Sequence, residues 1–170
     1  IDIANVYHGL LSKLEYVDLW YTPPVSGSNA RRVSQNWHRD FNDRMLLKAF
    51  IYLVDVDDGT GPFEHIPGTE PGGVYSDRWP WRPNGVVYPP VDEFERWAEN
   101  VPRRTFTGPK GTMLFCNTAG FHRGGFATEH PRVLATFTYD SPAALKSLSE
   151  RNYTFSGHAS LDEVTRYALT

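Results

Sequence analysis

The chain has 170 residues, of which 40% are hydrophobic and 14% aromatic, enough for one globular domain with a buried core. Its 17 Lys and Arg against 20 Asp and Glu give a net charge of -3, so a nucleic-acid partner is not expected. The single cysteine excludes an internal disulfide, and no apolar run reaches the length of a membrane span, so no membrane partner is expected either.

The first third of the chain is predicted to form one helix and three strands. Apolar residues at helical spacing predict an amphipathic helix over 2–14. Aromatic and β-branched residues predict strands over 16–21, 33–38 and 45–54. The last of these, MLLKAFIYLV, is apolar enough to be a buried strand.

Residues 69–90 are rich in glycine, proline and aromatic residues and show no clear period. A long irregular loop of this kind is often a lid or a binding loop. The alternative is a surface excursion that is packed by its own Trp79 and Trp81.

The second half of the chain is predicted to contain a helix over 92–100, strands over 111–117 and 132–139, and closing helices over 142–149 and 161–169. Strands in the middle with helices at both ends predict an all-β, antiparallel core with flanking helices. A double-sheet jelly roll is the architecture that this pattern favours.

The pair His38 and Asp40, in the stretch QNWHRD, is the first chemical signal. On an extended chain, residues two apart point to the same side, so both side chains can reach one metal ion. With 6 His and 11 Asp in 170 residues, such a pair arises by chance roughly 0.4 times, so it is weak evidence by itself.

A third candidate ligand, His122, lies in the segment GFHRGG between two predicted strands. Two neutral imidazoles and one carboxylate on one side of a metal leave open positions opposite them. This donor set is typical of non-haem iron(II) sites that react with oxygen. The sequence therefore predicts an iron centre held by His38, Asp40 and His122.

Arg132 begins the next predicted strand, 10 residues after His122. An arginine can hold a carboxylate through two parallel hydrogen bonds. Arg132 is therefore a candidate to bind the far carboxylate of a 2-oxo acid that chelates the metal. The alternative is a surface arginine at a strand edge, paired with Glu129.

Five segments resemble the phytanoyl-CoA dioxygenase family in order and spacing over about residues 16–142: WHRD, LLKAFIYLVDV, GPFEHIPG, GTMLFCNTAGFHRGG and the arginine of HPRVLATFTYDSP. That family consists of iron(II)- and 2-oxoglutarate-dependent oxygenases on a double-stranded β-helix, a cupin-like jelly roll. The resemblance implies that iron is bound by His38, Asp40 and His122, and that 2-oxoglutarate is bound by Arg132. It also gives Lys48 a position where relatives can place a co-substrate contact, with a lysine that snorkels to solvent as the alternative.

The sequence departs from the family pattern in two places. Gly68-Thr69-Glu70 stands where the family has Gly-Ser-His, which we expect to alter a turn rather than the chemistry. The N-terminal region that helps to form the family's substrate pocket is largely absent. We therefore expect a single domain, 1–170, that lacks part of this region.

These observations predict a dioxygenase that uses iron(II), 2-oxoglutarate and O2 to hydroxylate a small organic molecule. The alternatives are a non-catalytic cupin-type metal-binding domain and an isomerase or hydrolase on the same barrel. We expect a cytoplasmic protein and have no expectation for its oligomeric state.

Four arginines are candidates to meet an acidic substrate: Arg78, Arg82, Arg103 and Arg104. Four histidines are expected to be structural or surface residues rather than ligands: His8, His65, His130 and His158.

Overall fold

Two antiparallel β-sheets pack against each other in the structure, a computed structural model that describes residues 1–25, 31–83, 87–144, 153 and 160–169. The four-stranded sheet consists, in order across the sheet, of β1 (Lys13–Thr22), β7 (Arg132–Asp140), β2 (Leu47–Tyr52) and β5 (Met113–Asn117). The three-stranded sheet consists of β4 (Arg104–Phe106), β3 (Phe63–His65) and β6 (His122–Gly124). The described helices are α1 (Asp2–His8), α2 (Val91–Ala98) and α3 (Glu163–Leu169).

Strand β7 is central to the four-stranded sheet and pairs with both β1 and β2. Its side chains alternate between a fully buried face and a half-buried one, as the period of two requires. The buried face carries Arg132, Leu134, Thr136, Thr138 and Asp140. This face points between the two sheets, so a charged residue at its first position lies inside the fold.

Apolar side chains from both sheets meet in one cluster: Phe50, Tyr52, Val56, Phe63, Cys116 and Leu134. Truncating a large member of such a cluster, as in Phe63→Ala, costs about 3–5 kcal/mol. Burial raises the pKa of the Cys116 thiol, which is consistent with an inert packing residue.

A second cluster lies under α2 and contains Trp37, Ile66, Phe94, Ala98 and Phe121. Trp37 directly precedes His38 in the chain, and Phe121 directly precedes His122. This packing therefore fixes the backbone at both candidate histidine ligands from the side opposite to the metal centre.

Two predictions for the first third of the chain are wrong. The helix predicted over 2–14 ends at His8, because Gly9 adopts a left-handed conformation with φ 69°, a common helix stop. The strand predicted over 33–38 is a 3₁₀ turn at Val33–Gln35. After this turn, His38 pairs with His122 through a single antiparallel bridge.

The remaining strand predictions, over 16–21, 45–54, 111–117 and 132–139, fall on β1, β2, β5 and β7. The helices predicted over 92–100 and 161–169 correspond to α2 and α3. The helix predicted over 142–149 lies mostly outside the described residues. Residues 69–83 and 87–90 contain neither helix nor strand, in agreement with the irregular loop. Nowhere in the described chain is there a helix with the length and apolar character of a membrane span.

Candidate metal centre

His38 and His122 lie opposite each other on neighbouring backbone segments. The N–H of His38 donates to the carbonyl of His122 at 3.0 Å, and the N–H of His122 donates back to the carbonyl of His38 at 2.9 Å. The centroids of the two imidazole rings are 4.2 Å apart. Asp40 is fixed by its own N–H, which donates to the carbonyl of Thr118 at 2.8 Å.

The structure thus brings together the three residues that the sequence singles out. One potential ligand atom from each of His38, Asp40 and His122 lies within 4.8 Å of the other two. Such separations suit donors that meet around a single ion.

Both imidazoles are held in the orientation that metal binding needs. Nδ1 of His38 lies 2.9 Å from the carbonyl oxygen of Asn36, and Nδ1 of His122 lies 3.0 Å from that of Gly120. A carbonyl can only accept, so the proton resides on Nδ1 and each Nε2 keeps its lone pair.

The environment also keeps these rings neutral. Burial lowers the pKa of His38. It lowers the pKa of His122 well below the ordinary value, and the nearby His38 adds to this effect. Since only a neutral imidazole binds a metal, both histidines are ready to act as ligands at neutral pH.

Asp40 is the negative charge of the cluster. Burial alone would raise its pKa, but the ammonium of Lys48 opposes burial, and the pKa lies far below the usual range. Lys48 Nζ lies 2.7 Å from Oδ2 of Asp40. The carboxylate is therefore ionised, and the pairing stabilises both buried charges.

Lys48 is buried rather than snorkelling, since its side chain is only 13% exposed. Burial alone would lower its pKa, but the charge of Asp40 raises it overall. The ammonium is also 5.4 Å from the centroid of the Tyr16 ring. Lys48 is thus a fixed positive charge at the edge of the candidate metal centre.

Arg132 enters the same region from the start of β7 and is only 6% exposed. Its guanidinium donates to the carbonyl of Gly61 and contacts Oγ1 of Thr22 at 3.4 Å. Nε of Arg132 has no hydrogen-bond partner among the described residues. The alternative of a surface arginine paired with Glu129 is therefore wrong.

The guanidinium of Arg132 occupies space that is free because residue 124 is a glycine and has no side chain. A Cβ atom added at Gly124 would lie 2.6 Å from Nη2 of Arg132, closer than atoms in contact can approach. Any larger residue at this position would displace the guanidinium.

A cavity of about 280 Å³ connects these groups. It is lined by the three candidate ligands together with Lys48 and Arg132, and by the apolar side chains Phe50, Phe63 and Leu134. Two imidazole nitrogens and a carboxylate fit iron(II), and a buried arginine with an unused N–H fits a carboxylate. The residues present therefore fit both iron(II) and a 2-oxo acid.

Other parts of the cavity were not predicted from the sequence. Thr22, Trp20 and Tyr88 line it, and Thr22 reaches Arg132 because the two residues are paired in the β1–β7 register. Register depends on the whole sheet, so it was not readable from either strand alone.

Three of the four histidines that are expected to be structural or surface residues lie outside the candidate metal centre. His8 is buried and bonds to Ser12 and to the carbonyl of Met45, which is a packing role. His65 ends β3, where burial lowers its pKa. His130 is exposed, and His158 lies outside the described residues.

No family model matches the chain, and a comparison with curated proteins finds no match. Solved structures do match. SnoK, a non-heme alpha ketoglutarate dependent carbocyclase from nogalamycin biosynthesis, gives a TM-score of 0.62 over 84% of this chain and 55% of its own, at 17% identity. EctD from S. alaskensis, with 2-oxoglutarate and 5-hydroxyectoine, gives 0.62 over 88% of this chain and 49% of its own, at 21% identity.

The epimerase SnoN, in complex with Fe3+, alpha ketoglutarate and nogalamycin RO, gives a TM-score of 0.60 over 94% of this chain and 64% of its own, at 18% identity. At such identities the likeness shows the fold. The fold is therefore a double-stranded β-helix, as predicted. The chain spans about half the length of the first solved structures that it matches.

Proposed function

We propose that this chain forms the catalytic core of an iron(II)- and 2-oxoglutarate-dependent oxygenase that hydroxylates a small organic molecule. The observation that supports this best is the meeting of two free Nε2 atoms and one ionised carboxylate within 4.8 Å, in the wall of a cavity that also holds Arg132. Proteins of the same fold were solved with iron and 2-oxoglutarate bound, which adds support.

In this proposal, the metal is held by His38, Asp40 and His122. The carbonyls of Asn36 and Gly120 aim the two Nε2 atoms, and Lys48 keeps Asp40 ionised. Iron(II), once bound, supplies the activation of O2, which side chains cannot perform. The protein supplies the ligand geometry before the ion arrives.

Arg132 is proposed to bind the far carboxylate of 2-oxoglutarate through its guanidinium, with Thr22 beside it. Lys48 lines the same cavity, so its ammonium can also meet a carboxylate of the bound 2-oxo acid. The apolar wall formed by Phe50, Phe63 and Leu134 excludes water and strengthens these charge–charge contacts.

We further propose that the chain belongs to the phytanoyl-CoA dioxygenase family. The support is the order of the segments WHRD, LLKAFIYLVDV, GPFEHIPG and GTMLFCNTAGFHRGG. The first and last of these segments contribute the candidate metal ligands, while LLKAFIYLVDV contains β2 with Lys48.

The metal assignment is tested by His38→Ala, with His130→Ala as the matched control because His130 is exposed and outside the cavity. We expect His38→Ala to lose tight iron binding and all iron-dependent conversion of 2-oxoglutarate to succinate. The control should retain both. Equilibrium dialysis with Fe(II) under anaerobic conditions measures the first, and succinate release in air measures the second.

Two outcomes would contradict the proposal. If His38→Ala folds and binds iron as tightly as the wild type, His38 is not a ligand. If the wild-type protein binds iron and 2-oxoglutarate but releases no succinate with any substrate or in the uncoupled reaction, the alternative of a non-catalytic binding domain is correct.

A further inference from the structure

A second and larger pocket, of about 470 Å³, lies beside the candidate metal centre. Arg39 stands between His38 and Asp40 and lines this pocket, as does Phe121, which precedes His122. Adjacent residues on an extended backbone point to opposite sides. The two segments that carry the candidate ligands therefore present one set of side chains to the metal cavity and another set to this second pocket.

Arg39 is a buried cation without an acidic partner among the described residues. It is 4% exposed, and its guanidinium lies 3.9 Å from the centroid of the Phe121 ring. Among the described residues its guanidinium makes one long hydrogen bond, from Nη2 to the carbonyl of Thr69 at 3.4 Å, and its buried Nε has no partner there. Burial lowers the pKa of Arg39 to about 10, so the group is still charged at neutral pH.

Arg123 shows how the same fold treats a buried arginine that has a structural role. It is also 4% exposed, but it bonds to Glu64 at 3.0 Å and to Glu95 at 3.1 Å. Burying a charge without compensation is costly. The difference between the two arginines therefore indicates that no described residue supplies the countercharge of Arg39.

The rest of the pocket is also positively charged. Arg78 and Arg82 line it, and no Asp or Glu is among its described lining residues. Arg78 reaches Glu93 only at 3.7 Å, with both side chains about half exposed, so this pair neutralises little. Trp79, Tyr88 and Phe121 provide flat apolar walls.

We propose that this pocket binds an organic anion, in which a carboxylate or phosphate group meets Arg39 and a planar apolar body packs against Trp79 and Tyr88. Tyr88 also lines the metal cavity, and its ring centroid is 5.8 Å from that of His38. Because Tyr88 is shared by the two cavities, we assign the ligand as the substrate, anchored by its acidic group in this pocket. This last step rests on the proposed function, whereas anion binding by the pocket does not.

The binding step is tested on the iron-free wild-type protein with phenyl phosphate and phenylacetate as probes, and with inorganic phosphate and phenylmethanol as their truncated counterparts. Binding is followed by tryptophan fluorescence, because Trp79 lines the pocket, and by isothermal titration calorimetry. We expect at least one aromatic anion to bind, and inorganic phosphate and phenylmethanol to bind more weakly. Equal binding of inorganic phosphate would overturn the planar body of the ligand, and binding of none of the probes would overturn the pocket as an anion site.

Arg39→Met keeps the length and apolar contact of the side chain and removes its charge. It should weaken binding of the aromatic anion about tenfold or more, since a buried charge partner is lost. Arg103→Met is the matched control, because Arg103 is exposed and does not line the pocket. Unchanged affinity in Arg39→Met would overturn the proposal, as would loss of binding in Arg132→Ala, which would place the anion in the metal cavity.

Thermal unfolding provides a second measurement. Without ligand, Arg39→Met should be at least as stable as the wild type, because an uncompensated buried charge is removed. The aromatic anion should raise the Tm of the wild type but not of Arg39→Met. If Arg39→Met is clearly destabilised, Arg39 has a structural role and the proposal fails.

The role as substrate is tested separately, by succinate release from the iron-loaded enzyme with aromatic acids and with their amides. Stimulation by acids alone is the expected result. Binding without succinate release would contradict the proposed function and leave the anion pocket intact. Release with amides and acids alike would contradict the anchoring role.

Discussion

At the scale of single residues, the candidate centre depends on backbone carbonyls as much as on its donors. His38 and His122 each bond through Nδ1 to the carbonyl two residues earlier in the chain. This shared local geometry means that each ring is oriented by its own segment. A mutation in another part of the sheet would therefore disturb the distance between the rings before it disturbs their tautomers.

Arg132 gives a sharp test of the co-substrate. Arg132→Ala should lose a charge-assisted contact in a partly desolvated cavity, at a cost of about 2–5 kcal/mol, or roughly 30- to several-thousand-fold in 2-oxoglutarate affinity. Iron affinity should not change, because Arg132 is not a ligand. Arg132→Lys should restore the affinity only in part, because an ammonium lacks the two-pronged geometry. Anaerobic calorimetry with the iron-loaded protein measures all three affinities.

Gly124→Ala is the companion variant, since it leaves Arg132 in place but puts a methyl group 2.6 Å from Nη2. We expect a smaller loss of 2-oxoglutarate affinity than in Arg132→Ala, with the same retention of iron. Wild-type affinity in both variants would remove Arg132 from the site.

At the scale of elements, the loop predicted over 69–90 borders both cavities. Arg78, Trp79 and Arg82 line the larger pocket, while Val87 and Tyr88 line the metal cavity. The loop is attached to a ligand segment by Trp81, whose Nε1 donates to the carbonyl of Asp40 at 3.1 Å. The backbone of the loop is attached to the same segment, because the N–H of Arg39 donates to the carbonyl of Val87 at 3.0 Å. An irregular segment that borders both cavities is suited to act as a lid.

Trp81→Phe removes the hydrogen bond to Asp40 while keeping an aromatic ring. Loss of a hydrogen bond worth about 0.5–1.5 kcal/mol should raise amide exchange in the loop about two- to tenfold. Iron with 2-oxoglutarate should lower exchange of the same peptides in the wild type. Hydrogen exchange with mass spectrometry measures both effects, and the peptide that contains α3 serves as reference. A loop whose exchange is unaffected by the substitution and by the ligands would not be a lid.

Sequence patterns predict the strands that are long or strongly apolar, and they miss the short strands that form only beside a neighbouring strand. Strands β1, β2, β5 and β7 were predicted because they are long or strongly apolar. Strands β3, β4 and β6 have three residues each, and they exist only because neighbouring strands offer hydrogen bonds. The stretch 33–38 has strand-like residues, but a 3₁₀ turn and a single bridge satisfy its backbone instead.

The same distinction applies to the site. Ligand identities were readable because His-x-Asp and a later histidine are a compact pattern. That no described acidic residue lies near Arg39, and that Gly124 leaves room for the Arg132 guanidinium, cannot be predicted from the sequence, because both depend on which residues the fold brings together. The ion pair between Lys48 and Asp40 likewise follows from where β2 lies relative to the ligand segment.

At the scale of the whole molecule, the lowered pKa values of buried histidines predict that the metal-free protein loses stability in mild acid. The pKa values of His38, His65 and His122 are lowered by burial. In the unfolded chain a histidine titrates near 6.5. Below about pH 6.5, these histidines therefore bind protons in the unfolded state but stay neutral in the folded state. The free energy of unfolding then falls by up to about 1.4 kcal/mol per pH unit for each histidine.

Urea unfolding of the metal-free protein at pH 7.5, 6.5 and 5.5 measures this slope. His122→Gln should flatten the slope, because one of the contributing groups is gone. His130→Gln, at an exposed position, is the control and should keep the wild-type slope. A free energy of unfolding that rises as the pH falls over this range would contradict the assignment of neutral buried rings.

The reciprocal backbone hydrogen bonds between His38 and His122 have a consequence for how the protein acquires its ion. The two rings are brought together by the folding of the sheets, so their conformational entropy is lost during folding and not during metal capture. The folded chain can therefore release an ion and take up another without opening its core. In the proposed enzyme, the fraction of active molecules would therefore depend on the concentration of iron(II) available to the folded protein. A metal-free molecule could regain activity by binding iron, without synthesis of a new chain.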